Sequence, residues 1–579
     1  MFNEEQVENA LIEQLEGLGY THLYGPDIER DYKEVILKDV FFESLFKINT
    51  NMTSDVANEV YRKVRDFANV ELTQANREFN KLLYAGVEIP IQGDRTYTAN
   101  LIDRENIDNN NFMVVNQYTI EEYKTKRPDI IVFVNGIPLV VFELKNAIKE
   151  DTTIENAYHQ IKNYQKDIKS LFYYNAFNVI SDGVNSRVGT ITADFTRYMT
   201  WKSKDGEKPE EIFDQLDTLL DGVFMKPRLL DLITNFIVFQ DTETKTVKIF
   251  AGYHQYFAVR KAIDSTKISL KMKNRKAGVV WHTQGSGKSF AMVFYTGILL
   301  KDRELDNPTI VVLTDRNDLD EQLFSTFSTC NREILPQSSI NAKNRSHLKE
   351  LLQVNAGGII FTTIQKFEEG IDILSNRENI IFIADEAHRS QYGLTAKLNT
   401  KTGDFKYGYA KNMRNALPNA TFIGFTGTPV DLTDRSTREM FGDYIDVYDM
   451  TQAVEDGATV PIYYENRVAK LSLDEEILKQ VDEEYKNLIE TEQVTTDVVE
   501  KSQKELSKLE TIIGSKERLK VLAGDIIQHY EQRSDVLTGK AMIVSISRKT
   551  AINLYQEILN QKPSWKDKVK EILTDNNND

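Results

Sequence analysis

Trp281-His282-Thr283-Gln284-Gly285-Ser286-Gly287-Lys288-Ser289 lies between an apolar run, Ala277 to Trp281, and an apolar helical pattern, Phe290 to Leu300. A strand, a tight glycine-containing loop and a helix in that order form a cradle for phosphates. The loop N–H groups point inward, and the helix N-terminus adds partial positive charge. In such a cradle Gly285, Ser286 and Gly287 shape the loop. Lys288 reaches the β/γ-phosphates, and the Ser289 hydroxyl ligates Mg²⁺. The stretch predicts a nucleoside-triphosphate site, ATP with Mg²⁺.

Reading outward, short apolar runs recur at Gly278–Trp281, Thr309–Leu313, Gly358–Phe361, Ile380–Ala384 and Thr421–Phe425, with helical patterns between them. Buried strands alternating with helices predict a parallel sheet with helices on both faces. Ligands of such sheets sit at the carboxyl ends of the strands. Asp385-Glu386-Ala387-His388 follows the fourth run. Asp385 is placed to hold the metal and Glu386 to act as base on the attacking water. In isolation the tetrapeptide would read as an acidic surface turn. Phe425-Thr426-Gly427-Thr428-Pro429 follows the fifth run. Thr426 and Thr428 can sense the nucleotide there, although alone the segment would read as a Gly/Pro turn.

A second chemistry precedes this one. Arg127-Pro128-Asp129 opens an apolar run, Ile130–Val134, and Asn135-Gly136 is a hairpin turn signal. The return strand, Ile137 to Leu144, carries Glu143 and leads into Lys145. Residues two apart on a strand share a face, so Glu143 and Lys145 are neighbours, and Asp129 on the paired strand can face them. Two converging carboxylates call for a cation. Asp129 and Glu143 therefore form a candidate Mg²⁺ site, with Lys145 polarising a water or the scissile phosphate. The alternative is a half-buried strand pair with surface charges. Gln160 and Tyr164 follow at i,i+4 spacing on one helical face. Lys124, Lys126 and Arg127 either hold phosphates or form a solvated basic turn.

The chain has 579 residues, too many for one core. Three regions follow from the patterns: 1–238, 239–455 and 456–579. The first opens with an amphipathic helix (Val7, Leu11, Leu15, Leu18) closed by Gly19. The third is a Glu/Lys-rich helical stretch, Leu471 to Arg533, then a buried strand, Ala541–Ile546, and a helix, Lys549–Leu559. The ending Asp575–Asp579 looks frayed. Net charge is −17, which argues against a basic coat protein but not against a DNA enzyme with a local basic groove. A single cysteine, Cys330, excludes an intrachain disulfide and points to a reducing, cytoplasmic setting. The acidic N-terminus is not a signal peptide, and apolar stretches such as Ala291–Leu300 are far short of a membrane span.

The later motifs together resemble the superfamily 2 helicase and translocase motor. Gly285 to Ser289 looks like its motif I, Asp385 to His388 like motif II, and Thr426-Gly427-Thr428 like motif III. Gln255, in His254-Gln255-Tyr256-Phe257-Ala258-Val259, sits where that family places an adenine-reading glutamine. His282 stands where the strict phosphate-loop pattern has glycine. Asp129, Glu143 and Lys145 resemble the PD-(D/E)xK nuclease core. The Gln160/Tyr164 pair resembles an accessory motif of recombination and restriction nucleases. A nuclease core ahead of such a motor, with WHTQGSGKS, LTDRNDL (Leu313–Leu319), FTTIQKF (Phe361–Phe367) and IADEAHR (Ile383–Arg389), resembles the restriction (motor) subunit of type I restriction–modification enzymes.

The resemblance implies an α/β architecture: a nuclease domain, a first RecA-like lobe and the beginning of a second. It implies an ATP-driven translocase on double-stranded DNA, working with methyltransferase and specificity subunits and cutting at sites remote from the recognition sequence. Ala541–Arg548 resembles motif IV, whereas motifs V and VI are missing. The expectation is therefore a chain cut within the second lobe, binding ATP weakly and not translocating. Three other readings stay open. One is a type III restriction subunit, which carries its nuclease after the motor. The others are a repair or remodelling helicase and a DNA-binding scaffold with inert sites.

Overall fold

The computed structural model describes residues 4–570 apart from 68–69, 92–94, 146–152, 208, 210–214, 315–316, 331–333, 368–372, 389–396, 399–404, 407–408, 429–434, 466–513, 515 and 535–538. Asp315, Arg316, Arg389, Pro429, most of the Leu471–Arg533 stretch and the ending Asp575–Asp579 thus lie outside the described residues. The chain forms two compact units, Met1–Pro461 and Ile462–Asp579.

The first unit begins with helix α1 (Glu4–Gly17), which stops two residues before Gly19 at φ +87°. Strand β1 (Thr21–Tyr24) follows, then helices α2 (Lys38–Ile48), α3 (Ser54–Arg65) and α4 (Leu72–Ala85). Next come β2 (Phe112–Asn116), β3 (Ile130–Val134), β4 (Ile137–Leu144), helix α5 (Ile154–Asp167), β5 (Phe177–Ser181) and β6 (Ser186–Gly189). The six strands make one mixed sheet in chain order. Every residue of β3 and β4 is buried, as their unbroken Ile/Val/Phe runs require of strands covered on both faces. Their turn is Asn135-Gly136, with φ +52° and +75°. Both signs are those of the hairpin turn whose twist matches the flanking strands. Ile130 lies opposite Phe142 and Ile131 opposite Val141. The same register brings Asp129 alongside Glu143.

A hairpin of β7 (Ile237–Asp241) and β8 (Thr246–Phe250) then packs between elements far apart in sequence. Buried Lys248 donates from Nζ to Asn76 Oδ1 of α4 at 2.8 Å and to the Asn175 carbonyl at 2.6 Å.

Helix α6 (Tyr253–Met272) leads to β9 (Lys276–His282) and helix α7 (Lys288–Lys301). Strands β10 (Thr309–Thr314), β11 (Ser339–Asn341), β12 (Ile359–Thr363), β13 (Ile380–Ala384), β14 (Thr421–Thr426) and β15 (Tyr444–Tyr448) complete a seven-stranded sheet. Its order is β11-β12-β10-β13-β14-β9-β15, with all pairs parallel. The five expected strands are all present. Trp281 pairs with Thr426, and Ala384 with Gly424. The carboxyl ends of β9, β14 and β13 therefore lie side by side, where a sheet of this class binds its ligand.

In the second unit, helices α8 (Lys516–Ser534) and α9 (Arg548–Gln561) pack through Leu519, Ala523, Ile527, Leu554 and Ile558. The expected buried strand Ala541–Ile546 is not formed. Met542 and Val544 are 88% and 82% exposed. A strand is held by neighbours that take its N–H and C=O groups, and among the described residues none pairs with this segment.

Candidate active sites

At the first sheet, Asp129 and Glu143 come together as expected. The Leu144 N–H donates to Asp129 Oδ2 at 2.7 Å, and the Gln117 N–H donates to the Asp129 carbonyl at 2.9 Å. Lys145 Nζ donates to Glu143 Oε1 at 2.5 Å and to the Leu144 carbonyl at 2.8 Å. Glu143 is 2% exposed, and its Oε2 is buried with no hydrogen-bond partner. Burial, and then the Asp129 charge, push the Glu143 carboxyl up to about 8 against the opposing pull of Lys145.

Gln160 and Tyr164 share one face of α5. The Tyr164 hydroxyl acts on Glu143 and is approached by the Gln160 side chain, and burial raises it above its ordinary range. Its clearest hydrogen bond, at 3.4 Å, goes to the Arg127 carbonyl. Lys124 and Lys126 both pair with Asp167, at 2.9 and 3.2 Å, because the α5 terminus presents that carboxylate to the turn.

At the second sheet, Gly285 and Gly287 adopt φ +84° and +81°, and the loop closes through Ser286 Oγ donating to the Thr283 carbonyl at 2.6 Å. A side chain at Gly287 would put its Cβ 2.6 Å from Gln255 Nε2. Lys288 Nζ rests on the His282 carbonyl at 3.1 Å. Burial lowers its pKa, while Glu386 and Asp385 oppose the shift. Ser289, the next residue on α7, is half-buried at the loop's edge. Burial and the neighbouring Glu386 raise the Asp385 carboxyl to about 6. Glu386, at φ +47°, is held below the usual carboxylate range, chiefly by its hydrogen bond with His388. His388 Nδ1 lies 2.8 Å from Thr426 Oγ1, which donates to the Thr428 carbonyl at 3.1 Å. A Cβ at Gly427 would stand 2.6 Å from Lys288 Nζ, so this segment lies directly against the lysine's ammonium end.

Gln255 is engaged at both ends, accepting from the Gly252 N–H and donating to the Gly287 carbonyl, each at 2.9 Å. In this state it braces the loop. His254 beside it takes the Ser286 carbonyl at 3.0 Å. A carbonyl only accepts, so Nε2 carries the proton. Burial holds this imidazole near 4, and its ring stacks 4.2 Å from Tyr448. His282 pairs with Asp446 of β15 at 2.8 Å. The motifs did not reveal His254, Tyr448 or Asp446. The one signal was a histidine where the loop pattern has glycine, because a fully buried imidazole needs a partner.

Both sites suit a divalent cation, Mg²⁺ being the one the resemblance implies. The first offers two carboxylates with an orphaned buried oxygen, and the second a hydroxyl, Ser289, with a carboxylate, Asp385. Among the described residues no group of three or more His, Cys, Asp or Glu converges.

A two-site α/β protein of this kind, a nuclease-type sheet ahead of a phosphate-loop sheet, matches two family models. Residues 1–197 match the type I restriction enzyme R protein N terminus, and residues 254–498 the SWI2/SNF2 ATPase. The chain is 41% identical over 589 residues to the type I restriction enzyme HindI endonuclease subunit of Haemophilus influenzae, covering 98% of this chain and 55% of that protein. It is 37% identical over 599 residues to the putative type I restriction enzyme MjaIXP endonuclease subunit of Methanocaldococcus jannaschii, covering 96% and 55%. A solved fragment of a putative HsdR subunit of a type I restriction enzyme from Vibrio vulnificus YJ016 aligns with 87% of this chain and 76% of its own. Its identity is 16% and its TM-score 0.32, too low to carry weight. The chain belongs to the type I restriction enzyme R-subunit family, and it spans about half the length of the curated relatives it matches.

Proposed function

We propose that the whole protein cuts double-stranded DNA at the Asp129–Glu143–Lys145 site and moves along it by hydrolysing ATP at the Lys288 site. It would act in the cytoplasm with methyltransferase and specificity subunits. Residues 1–238 would form the nuclease domain, 239–455 the first motor lobe, and 456–579 the start of the second. The observation that carries the reading is the meeting of two carboxylates with an unpartnered buried oxygen, Glu143 Oε2, beside a lysine. Such an arrangement is unfavourable for a fold and useful for handling a phosphodiester.

In the nuclease site Asp129 and Glu143 hold the metal. Lys145 offers an ammonium to the scissile phosphate, and Tyr164, ordered by Gln160, sets the Glu143 carboxyl. In the motor, Lys288 leaves its carbonyls for the β/γ-phosphates, and Ser289 and Asp385 hold the metal. Glu386, kept ionised by His388, takes the proton of the attacking water. Thr426 and Thr428 sense the nucleotide through His388. Gln255 would meet the adenine by releasing the Gly252 N–H and the Gly287 carbonyl. Mg²⁺, when bound, supplies positive charge against the phosphate oxygens in both sites.

The test is Asp129→Ala and Lys288→Ala in the full subunit assembled with its partners, with ATP hydrolysis, triplex displacement and DNA cleavage measured together. Asp129→Ala should hydrolyse and translocate without cutting, and Lys288→Ala should do none of the three. Cleavage that survives Asp129→Ala overturns the assignment.

A further inference from the structure

Asp129 is held at two points. Its carboxylate takes the Leu144 N–H from β4, and its carbonyl takes the Gln117 N–H from the residue that follows β2. Gln117 makes the second bond at φ +54°. That left-handed conformation is costly for a residue with a Cβ, and it persists only when neighbours enforce it. Here the enforcement comes from α1. Glu8 Oε2 accepts from Gln117 Nε2 at 2.9 Å, and Glu8 Oε1 accepts from Asn116 Nδ2 at 2.7 Å. Asn116 Oδ1 in turn faces His22 Nε2 of β1 at 2.9 Å. Glu8 and Asn116 are buried at 9% and 7% exposure. Hydrogen bonds to a buried carboxylate are among the stronger ones available to a fold. In the helix pattern Glu8 reads as an ordinary polar residue beside Val7.

We propose that Glu8 is a positioning residue of the nuclease site. By clamping the side chains of Asn116 and Gln117, it maintains the left-handed turn whose amide fixes Asp129. Both Glu8 oxygens are committed to amides, so its effect reaches the metal through Gln117 and not by ligation. The inference rests on the nuclease reading of Asp129, Glu143 and Lys145.

The experiment uses DNA-free protein. Mn²⁺ affinity is followed by electron paramagnetic resonance, and amide exchange by mass spectrometry over residues 113–120. Glu8→Ala should weaken Mn²⁺ binding at the nuclease site about tenfold, the usual effect of losing a residue that orients a ligand, and speed exchange at Gln117. Glu13→Ala, an exposed site on the same helix, should change neither. Gln117→Gly placed in the Glu8→Ala background should restore Mn²⁺ affinity, since glycine holds a positive φ without a brace. Should Glu8→Ala misfold by circular dichroism, Glu8→Gln keeps the volume and can accept from only one of the two amides. It should then give a smaller loss, again rescued by Gln117→Gly.

Unchanged affinity and exchange in the Glu8 variants would overturn the proposal. So would a loss that Gln117→Gly fails to rescue, which would make Glu8 a ligand or a purely structural residue. Asp129→Ala separates the two levels. If Mn²⁺ binding survives it, the nuclease reading has failed. If binding is lost there but Glu8→Ala is silent, only the brace has failed.

Discussion

The Asp129–Glu143 and Asp385–Glu386 pairs each bring two carboxylates together at the end of a sheet, yet they settle the repulsion differently. In the first, Glu143 is driven up to about 8 and keeps an unpartnered oxygen. In the second, the burden is divided. Asp385 rises to about 6, while His388 holds Glu386 below its ordinary value. A pair left unbalanced suits a shared cation between both acids. A pair split into one protonatable and one ionised member suits separate duties, metal holding and base catalysis.

The largest effect that could break this comparison is Lys288→Ala. It should lower nucleotide binding and ATP turnover by about 100-fold or more, measured by equilibrium binding and steady-state hydrolysis. The unfolding signal of the nuclease sheet should stay unchanged.

The next prediction uses pH. The Glu143 carboxyl is higher in the fold than in the open chain, so its stabilising contribution is complete below about 4.5 and disappears as pH rises through about 8. The Asp385 window closes earlier, between about 3.8 and about 6. Melting of metal-free protein from pH 6 to 9 should therefore show the Glu143 contribution as a loss of about 3 kcal/mol relative to Glu143→Gln. Glu143→Gln or saturating Mg²⁺ should flatten that limb. A slope that persists in Glu143→Gln would remove the contrast between the sites.

A smaller effect is expected from His282→Gly, which restores the strict loop pattern. It removes one of the two partners of the half-buried Asp446, which keeps Lys261 at 3.2 Å, and should cost about 1–2 kcal/mol in denaturant unfolding. Smallest is Lys124→Ala with Lys126→Ala. Exposed Lys124 and half-buried Lys126 answer to Asp167, so DNA cleavage should change by less than about twofold. A larger loss would return them to phosphate binding.

How legible each site was follows from how its parts are spaced. The phosphate loop is one continuous stretch, so Gly285 to Ser289 announced both the turn and its ligand. The Asn135-Gly136 turn set the register that brings Asp129 to Glu143. Gln160 and Tyr164 were readable because four residues make one helical turn. The expectation for Ala541–Ile546 failed because apolar, β-prone character reports what a segment would bury, not whether a neighbour is there to bury it.

The chain alone determined the later parallel sheet, the hairpin that pairs Asp129 with Glu143 ahead of it and the motif residues at the strand ends, because periodicity, turn chemistry and short-range spacing are local properties. Only the tertiary structure decided that Gln255 braces Gly287, that His282 answers Asp446, that Lys124 and Lys126 are spent on Asp167, and that Glu8 stands behind Gln117. Those pairings join residues from about 30 to more than 160 positions apart. Nothing in local propensity encodes them, since a buried polar group names its need for a partner but not where in the sequence that partner lies.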